Sequence, residues 1–224
     1  MPATSLQQLF VEELRDIYDG EKRLLRALPK MAKAAGSSEL QNAFTMHTRE
    51  TERQVTRLEQ VFRSLGEKPR GKTCDGIMGL VKESNHAMED LDGPVLDAAL
   101  IAGAQKVEHY EISTYGTLAY FAELLGEDRA KSLLGETLEE EKAADEKLNE
   151  IAKSDVNREA LLAEGEDEEN DEDRSDAGTG MMSGMRRPAA SMGLGNGGPR
   201  RSSAGRSSGR SRNNGRARAG RRRK

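Results

Sequence analysis

Apolar residues recur at three- and four-residue steps through most of residues 4–154, the spacing of one helix face. Leu6, Phe10, Leu14, Ile17, Leu24, Leu28 and Met31 predict a first helix from Thr4 to Ala35, with Glu21 standing on the stripe where an apolar residue belongs. Gly36, Ser37 and Ser38 supply a stop and a fresh N-cap. A second helix to about Leu65 follows through Leu40, Phe44, Thr51, Val55, Leu58 and Phe62; His47 interrupts its stripe and Glu50 lies one turn further on. Two glycines and a proline between Gly66 and Lys72 end it. A shorter amphipathic segment spans 73–91, a third long helix runs from the Asp92-Gly93-Pro94 break to about Leu125, and a fourth from Asp128 to about Ser154. On the third, Leu96, Leu100, Ala104 and Val107 mark a core-facing stripe that continues into Glu108 and Glu111; the fourth carries Leu134, Leu138, Glu141, Asp145, Leu148 and Ala152.

Two helical hairpins with short loops, joined by one long connection, predict an all-α fold: a ferritin-like antiparallel four-helix bundle with a crossover helix between the second and third long helices. No alternating strand pattern competes with it. The bundle is expected over residues 1–163. From Glu164 to Asp173 the chain is an acidic block, and beyond it Gly, Ser, Arg, Asn and Ala dominate to Lys224, so 164–224 is expected to be a disordered tail.

The polar residues on the apolar stripes fall at one height. A helix rises about 1.5 Å per residue. Measured from the loop at Gly36, Glu21, His47 and Glu50 lie roughly 16–22 Å along their helices, and measured from Gly126, Glu108, Glu111, Glu141 and Asp145 lie roughly 22–28 Å along theirs. All four long helices therefore bring acids or an imidazole to mid-length. Buried ionised groups without partners cost several kcal/mol each, and these stripes carry no Lys or Arg. A pair of divalent or trivalent metal ions satisfies six carboxylates and one imidazole at once, and the donor set suits iron or manganese, with zinc also admissible. The expected metal ligands are Glu21, His47, Glu50, Glu108, Glu111, Glu141 and Asp145. No separate catalytic acid or base stands out. Asp16 lies off the stripe and reads as a hydrogen-bonding neighbour, Tyr18, Tyr110 and Tyr115 as core or boundary aromatics, and Cys74 as a thiol without catalytic partners.

Several segments carry a family resemblance: Asp16-Ile17-Tyr18 with Glu21-Lys22, His47 through Thr51, Ala98 through Tyr110 and Glu111, Tyr115 through Leu118, and Glu136 through Lys142 with Asp145. In these the chain resembles the YciE/YciF-like stress proteins, a branch of the ferritin-like superfamily related to rubrerythrin, over roughly residues 4–160. The resemblance implies a four-helix bundle with a dimetal-type centre and an association with stress responses. The sequence departs from the superfamily pattern of Glu-x-x-His on two helices: it has His47-x-x-Glu50, Glu108-x-x-Glu111 and Glu141-x-x-x-Asp145. The expected function is oxidative or osmotic stress defence through oxygen or peroxide chemistry. The alternative is a structural or binding stress protein without redox catalysis, its function residing in the surface and tail.

Charge and cysteine content add compartment and partners. One cysteine excludes an internal disulfide framework and suits a reducing compartment, and no stretch approaches the ~18 apolar residues of a membrane span, so the expectation is a cytoplasmic protein with no membrane association. The chain's net charge of −4 hides thirteen basic residues and no acid between Arg186 and Lys224, which leaves −17 on residues 1–185. That basic segment predicts nonspecific nucleic-acid contact. With about six phosphate contacts, the slope of log affinity against log salt should be about −5 for duplex DNA; a slope near zero, or equal binding after truncation at Ala163, would refute it. A homodimer paired along exposed helix faces is also expected, and light scattering would distinguish it from a storage cage.

Overall fold

Five α-helices, a π-helical turn and a last helical stretch over residues 157–163 make up the computed structural model, which describes residues 4–163. The helices are α1 (Leu6–Ala34), α2 (Ser38–Ser64), α3 (Asp75–Asp90), α4 (Gly93–Leu125) and α5 (Asp128–Ile151), followed by the π turn Ala152–Val156. They match the predicted elements within a residue or two at most ends. The expected tail, 164–224, lies outside the described residues, as does its predicted nucleic-acid contact.

Local chemistry sets the breaks. Ser5 Oγ accepts from the Gln8 amide at 3.2 Å and Ser37 Oγ from the Leu40 amide at 3.4 Å, each satisfying a backbone donor that a helix start leaves free. At the α1–α2 turn, the buried Asp97 carboxylate of α4 accepts from the Gly36 and Ser37 amides at 2.8 and 2.7 Å. One acid thus holds the first hairpin's tip against the start of the second hairpin. Gly126 ends α4 at φ 73°, a left-handed conformation open to glycine at little cost. Ser154, with ψ −109°, breaks the helical line inside the π turn, and beyond it Val156 is buried with Ile151 and Leu148.

Around the bundle, α1 packs on α2, α2 on α5, α5 on α4 and α4 on α1; α3 lies across α1 and α4. Neighbours run antiparallel: Asp97 near the start of α4 meets the end of α1, while Tyr110 and Tyr115 further along α4 meet Asp16 and Glu21. The crossover begins beside the middle of α1, where the Cys74 amide donates to Asp19 Oδ2 at 3.0 Å. This is the predicted ferritin-like plan of two hairpins and a long connection. No described helix is long and apolar enough to cross a membrane.

The apolar interior comes in two clusters. One gathers Leu24, Leu28, Met31, Leu40, Phe44, Leu100, Ile101, Leu148 and Ile151 toward the α1–α2 turn. The other gathers Phe10, Leu14, Ile17, Leu58, Phe62, Tyr115, Leu118 and Leu134 toward the α4–α5 turn. Between them, all four long helices present buried polar side chains.

Candidate metal centre

That polar layer contains Glu21, His47, Glu108, Glu111 and Glu141, all buried. Each sits on its helix where the heptad-like stripe would place a core residue, so burial of the neighbouring Leu, Ile and Phe side chains carries these groups inward. His47, Glu108, Glu111 and Glu141 each offer a donor atom, and those four atoms lie within 4.8 Å of one another. His47 Nε2 is 3.4 Å from Glu108 Oε1 and 3.8 Å from Glu141 Oε2, and its Nδ1 is 3.5 Å from Glu50 Oε2.

The other predicted ligands take distinct places. Glu21, fully buried, accepts a hydrogen bond from the Tyr115 hydroxyl through Oε1. Glu50 lies beside His47 at the edge of the layer, with 29% of its side chain exposed. Asp145 stands at the rim, 3.4 Å from both Gln105 Nε2 and His109 Nε2. It is outside the group of four.

Burial and mutual repulsion set the protonation. Burial pushes the Glu21 carboxyl up to about 7, against the Tyr115 hydrogen bond and the His47 charge, which pull it down. Glu108, Glu111 and Glu141 are also raised, first by burial; repulsion from neighbouring carboxylates adds to this. Burial alone would lower His47, but Glu108, Glu50 and Glu21 around it outweigh that and raise it to about 9. Left to themselves these groups hold protons they would release in water.

Proton sharing still leaves the layer under-bonded. Glu21 Oε2, His47 Nδ1, Glu108 Oε2, Glu111 Oε1 and both oxygens of Glu141 are buried without a hydrogen-bond partner. Buried polar atoms are nearly always paired, and six orphans gathered in one layer are what a set of ligands for a cation would leave. His47, Glu108, Glu111 and Glu141 form a group that could hold a metal ion.

Two neighbouring networks were missed by the sequence pattern. Buried Arg57 donates to Glu140 through both terminal nitrogens at 2.6 Å, and to Glu136 at 2.9 Å and Thr137 at 3.2 Å, clamping α2 to α5 beside the centre. Behind the centre, the Tyr110 hydroxyl donates to Asp16 Oδ2 at 3.1 Å and lies 3.4 Å from Cys74 Sγ. Asp16 therefore neighbours Tyr110, while the Tyr18 hydroxyl donates to Glu59 at 3.0 Å. Burial pushes the Cys74 thiol up to about 11, consistent with an inert thiol. Tyr115 carried a legible signal: it follows Glu111 by four residues and so shares its face.

Comparison with known proteins is consistent with this architecture. A family model described as "Domain of unknown function (DUF892)" matches residues 5–161. The Escherichia coli K12 protein YciF is 46% identical over 162 residues, covering 71% of this chain and 98% of YciF. The crystal structure of the E. coli stress protein YciF aligns with a TM-score of 0.67 at 46% identity, over 69% of this chain and 99% of that one. YcfI from Rhodopseudomonas palustris aligns with a TM-score of 0.64 at 48% identity, over 65% of this chain and 94% of that one.

Proposed function

The chain belongs to the ferritin-like DUF892 family, and from that premise we propose that it is a non-haem dimetal protein of oxidative or osmotic stress defence, acting on oxygen or peroxide. The observation that carries the metal reading is the layer of buried carboxylate and imidazole atoms without hydrogen-bond partners. The stress association rests on the similarity to the stress protein YciF.

Glu21, His47, Glu108, Glu111 and Glu141 would hold two ions, with Glu50 completing the set beside His47 and Asp145 positioned at the rim. What bound iron or manganese would supply is electron transfer to oxygen or peroxide. The chain's own contribution is placement and proton handling. Tyr115 fixes Glu21 through Oε1 and leaves Oε2 free for a ligand. His47 presents Nε2 toward Glu108 and Glu141. The two apolar clusters close the layer toward both ends of the bundle, and the Arg57 clamp ties α2 to α5.

Metal analysis tests this reading. Full-length protein loaded anaerobically with ferrous iron and then desalted should carry about two ions per chain, and Glu108→Ala should carry fewer than one. Fewer than one ion per wild-type chain would remove the dimetal centre from consideration.

A further inference from the structure

A groove of about 740 Å³ opens between α2 and α5, with His47, Glu50 and Glu108 on its inner surface. Molecular oxygen or hydrogen peroxide needs space of the order of a water molecule's share of liquid, about 30 Å³. The groove falls within the roughly 300–1,000 Å³ typical of pockets for organic ligands. Its size therefore calls for a different explanation from access of the small oxidant.

The sequence makes the groove by placing small residues on two facing helices. Ala43 on α2 faces Ala143 and Ala144 on α5, leaving space that larger side chains would fill; Phe44 and Leu148 form buried apolar walls. Met46, 61% exposed, stands at the mouth with a flexible, polarisable side chain suited to varied apolar partners. The helices are tied at both ends of the gap: by Arg57 with Glu136 and Glu140, and by Lys147 with Glu39 at 2.9 Å. The groove is thus framed by fixed contacts. Its charged edge is mostly carboxylate, with Glu39, Glu50, Glu136, Glu139 and Glu140 against Lys147, which disfavours an anion.

The geometry points to a substrate site in which an uncharged organic molecule lays an apolar body along the α2–α5 groove and turns a polar head toward His47, Glu50 and Glu108. This rests on the metal-centre reading and extends its substrate class from small oxidants alone to organic molecules with an apolar body and an uncharged polar head. The polar end meets the centre's donors and any cation they hold, and the apolar body covers Phe44, Leu148 and the alanines.

A homologous series of probes separates the two readings. Acetohydroxamic, butyrohydroxamic, hexanohydroxamic and octanohydroxamic acid share one head, neutral in solution near pH 7 and bound to iron as the hydroxamate with release of its proton to buffer, and differ only in chain length. Titrated calorimetrically into iron-loaded full-length protein, they should tighten by about threefold to fourfold per methylene that enters the groove. Ala143→Trp, at an exposed position on the groove wall, should flatten the series while leaving iron content and acetohydroxamate affinity unchanged; Ala43→Leu provides a second, smaller filling. A flat series in the wild type, with acetohydroxamate still bound, overturns the groove assignment and spares the metal centre. Absence of iron together with absence of any hydroxamate binding overturns both. If Ala143→Trp leaves the series unchanged and instead alters the oligomeric state by light scattering, the groove is a contact between copies and the substrate assignment is wrong.

Discussion

Glu111→Met should make the metal-free protein more stable by about 2 kcal/mol while sharply reducing its metal content. Glu111 is buried between two apolar clusters, Oε1 has no hydrogen-bond partner, and Glu21 and Glu108 repel its charge. Methionine has nearly the same length and volume, so the substitution removes the buried carboxyl without opening a cavity. In the metal-free fold burial holds this carboxyl protonated, and a buried polar group left without a hydrogen-bond partner costs about 1–3 kcal/mol that an apolar residue of similar shape does not incur. For a domain of this size, about 2 kcal/mol corresponds to roughly 4–8 °C in Tm. Thermal melts in chelator measure the first effect and metal analysis after loading measures the second. A variant that melts no higher than the wild type and still binds two ions would show that Glu111 is an ordinary structural residue. The expected pattern, gain of apo stability with loss of metal, separates a site maintained for ligand binding from one maintained for folding.

The fold was largely legible because each helix announced itself twice: by an apolar stripe, and by a stop or cap of known chemistry. Ser37 and Gly126 show why the boundaries could be read, since their conformations follow from local sequence. The common height of the polar residues was legible too, because short loops pin neighbouring helices and the rise per residue is constant. Orientation around the helix was harder. Asp145 follows Glu141 by four residues, which turns it about 40° around the axis, and there it meets Gln105 and His109 at the rim. Periodicity places both residues on one face, yet only the packing of α4 against α5 decides which points inward. Arg57 escaped for a related reason. A cation beside an apolar stripe reads as surface until its partners Glu136 and Glu140, some eighty residues away, are known to face it. The association of Tyr110 with Cys74 and Asp16 likewise brings together three segments whose contact no single helix pattern encodes.

Metal-free and metal-bound protein should respond to pH in opposite directions. In the metal-free fold Glu21 is raised to about 7, and Glu108, Glu111 and Glu141 are raised as well, so the fold favours their neutral forms. For such carboxyls the native state binds more protons than the unfolded chain once pH exceeds the ordinary value of 4.5, and stability falls as pH rises. His47 acts in the same direction: raised to about 9 from 6.5, its contribution is complete below 6.5 and is lost as pH climbs through 9. Glu140 and Asp19, lowered by Arg57 and by the Cys74 amide with Arg23 despite burial, contribute in the opposite sense only at acid pH, and their effect is complete before neutrality. Between pH 6 and 8.5 the metal-free protein should therefore lose on the order of 2 kcal/mol. Metal binding requires deprotonated carboxylates and a neutral imidazole, so cation affinity rises over the same range. With saturating manganese under anaerobic conditions, Tm should hold or rise from pH 6 to 8.5, while in chelator it falls. Calorimetric titrations in buffers of different ionisation enthalpy should also show protons released on metal binding. Parallel pH slopes with and without metal, and no proton release, would mean that these buried acids are not the groups the cation engages.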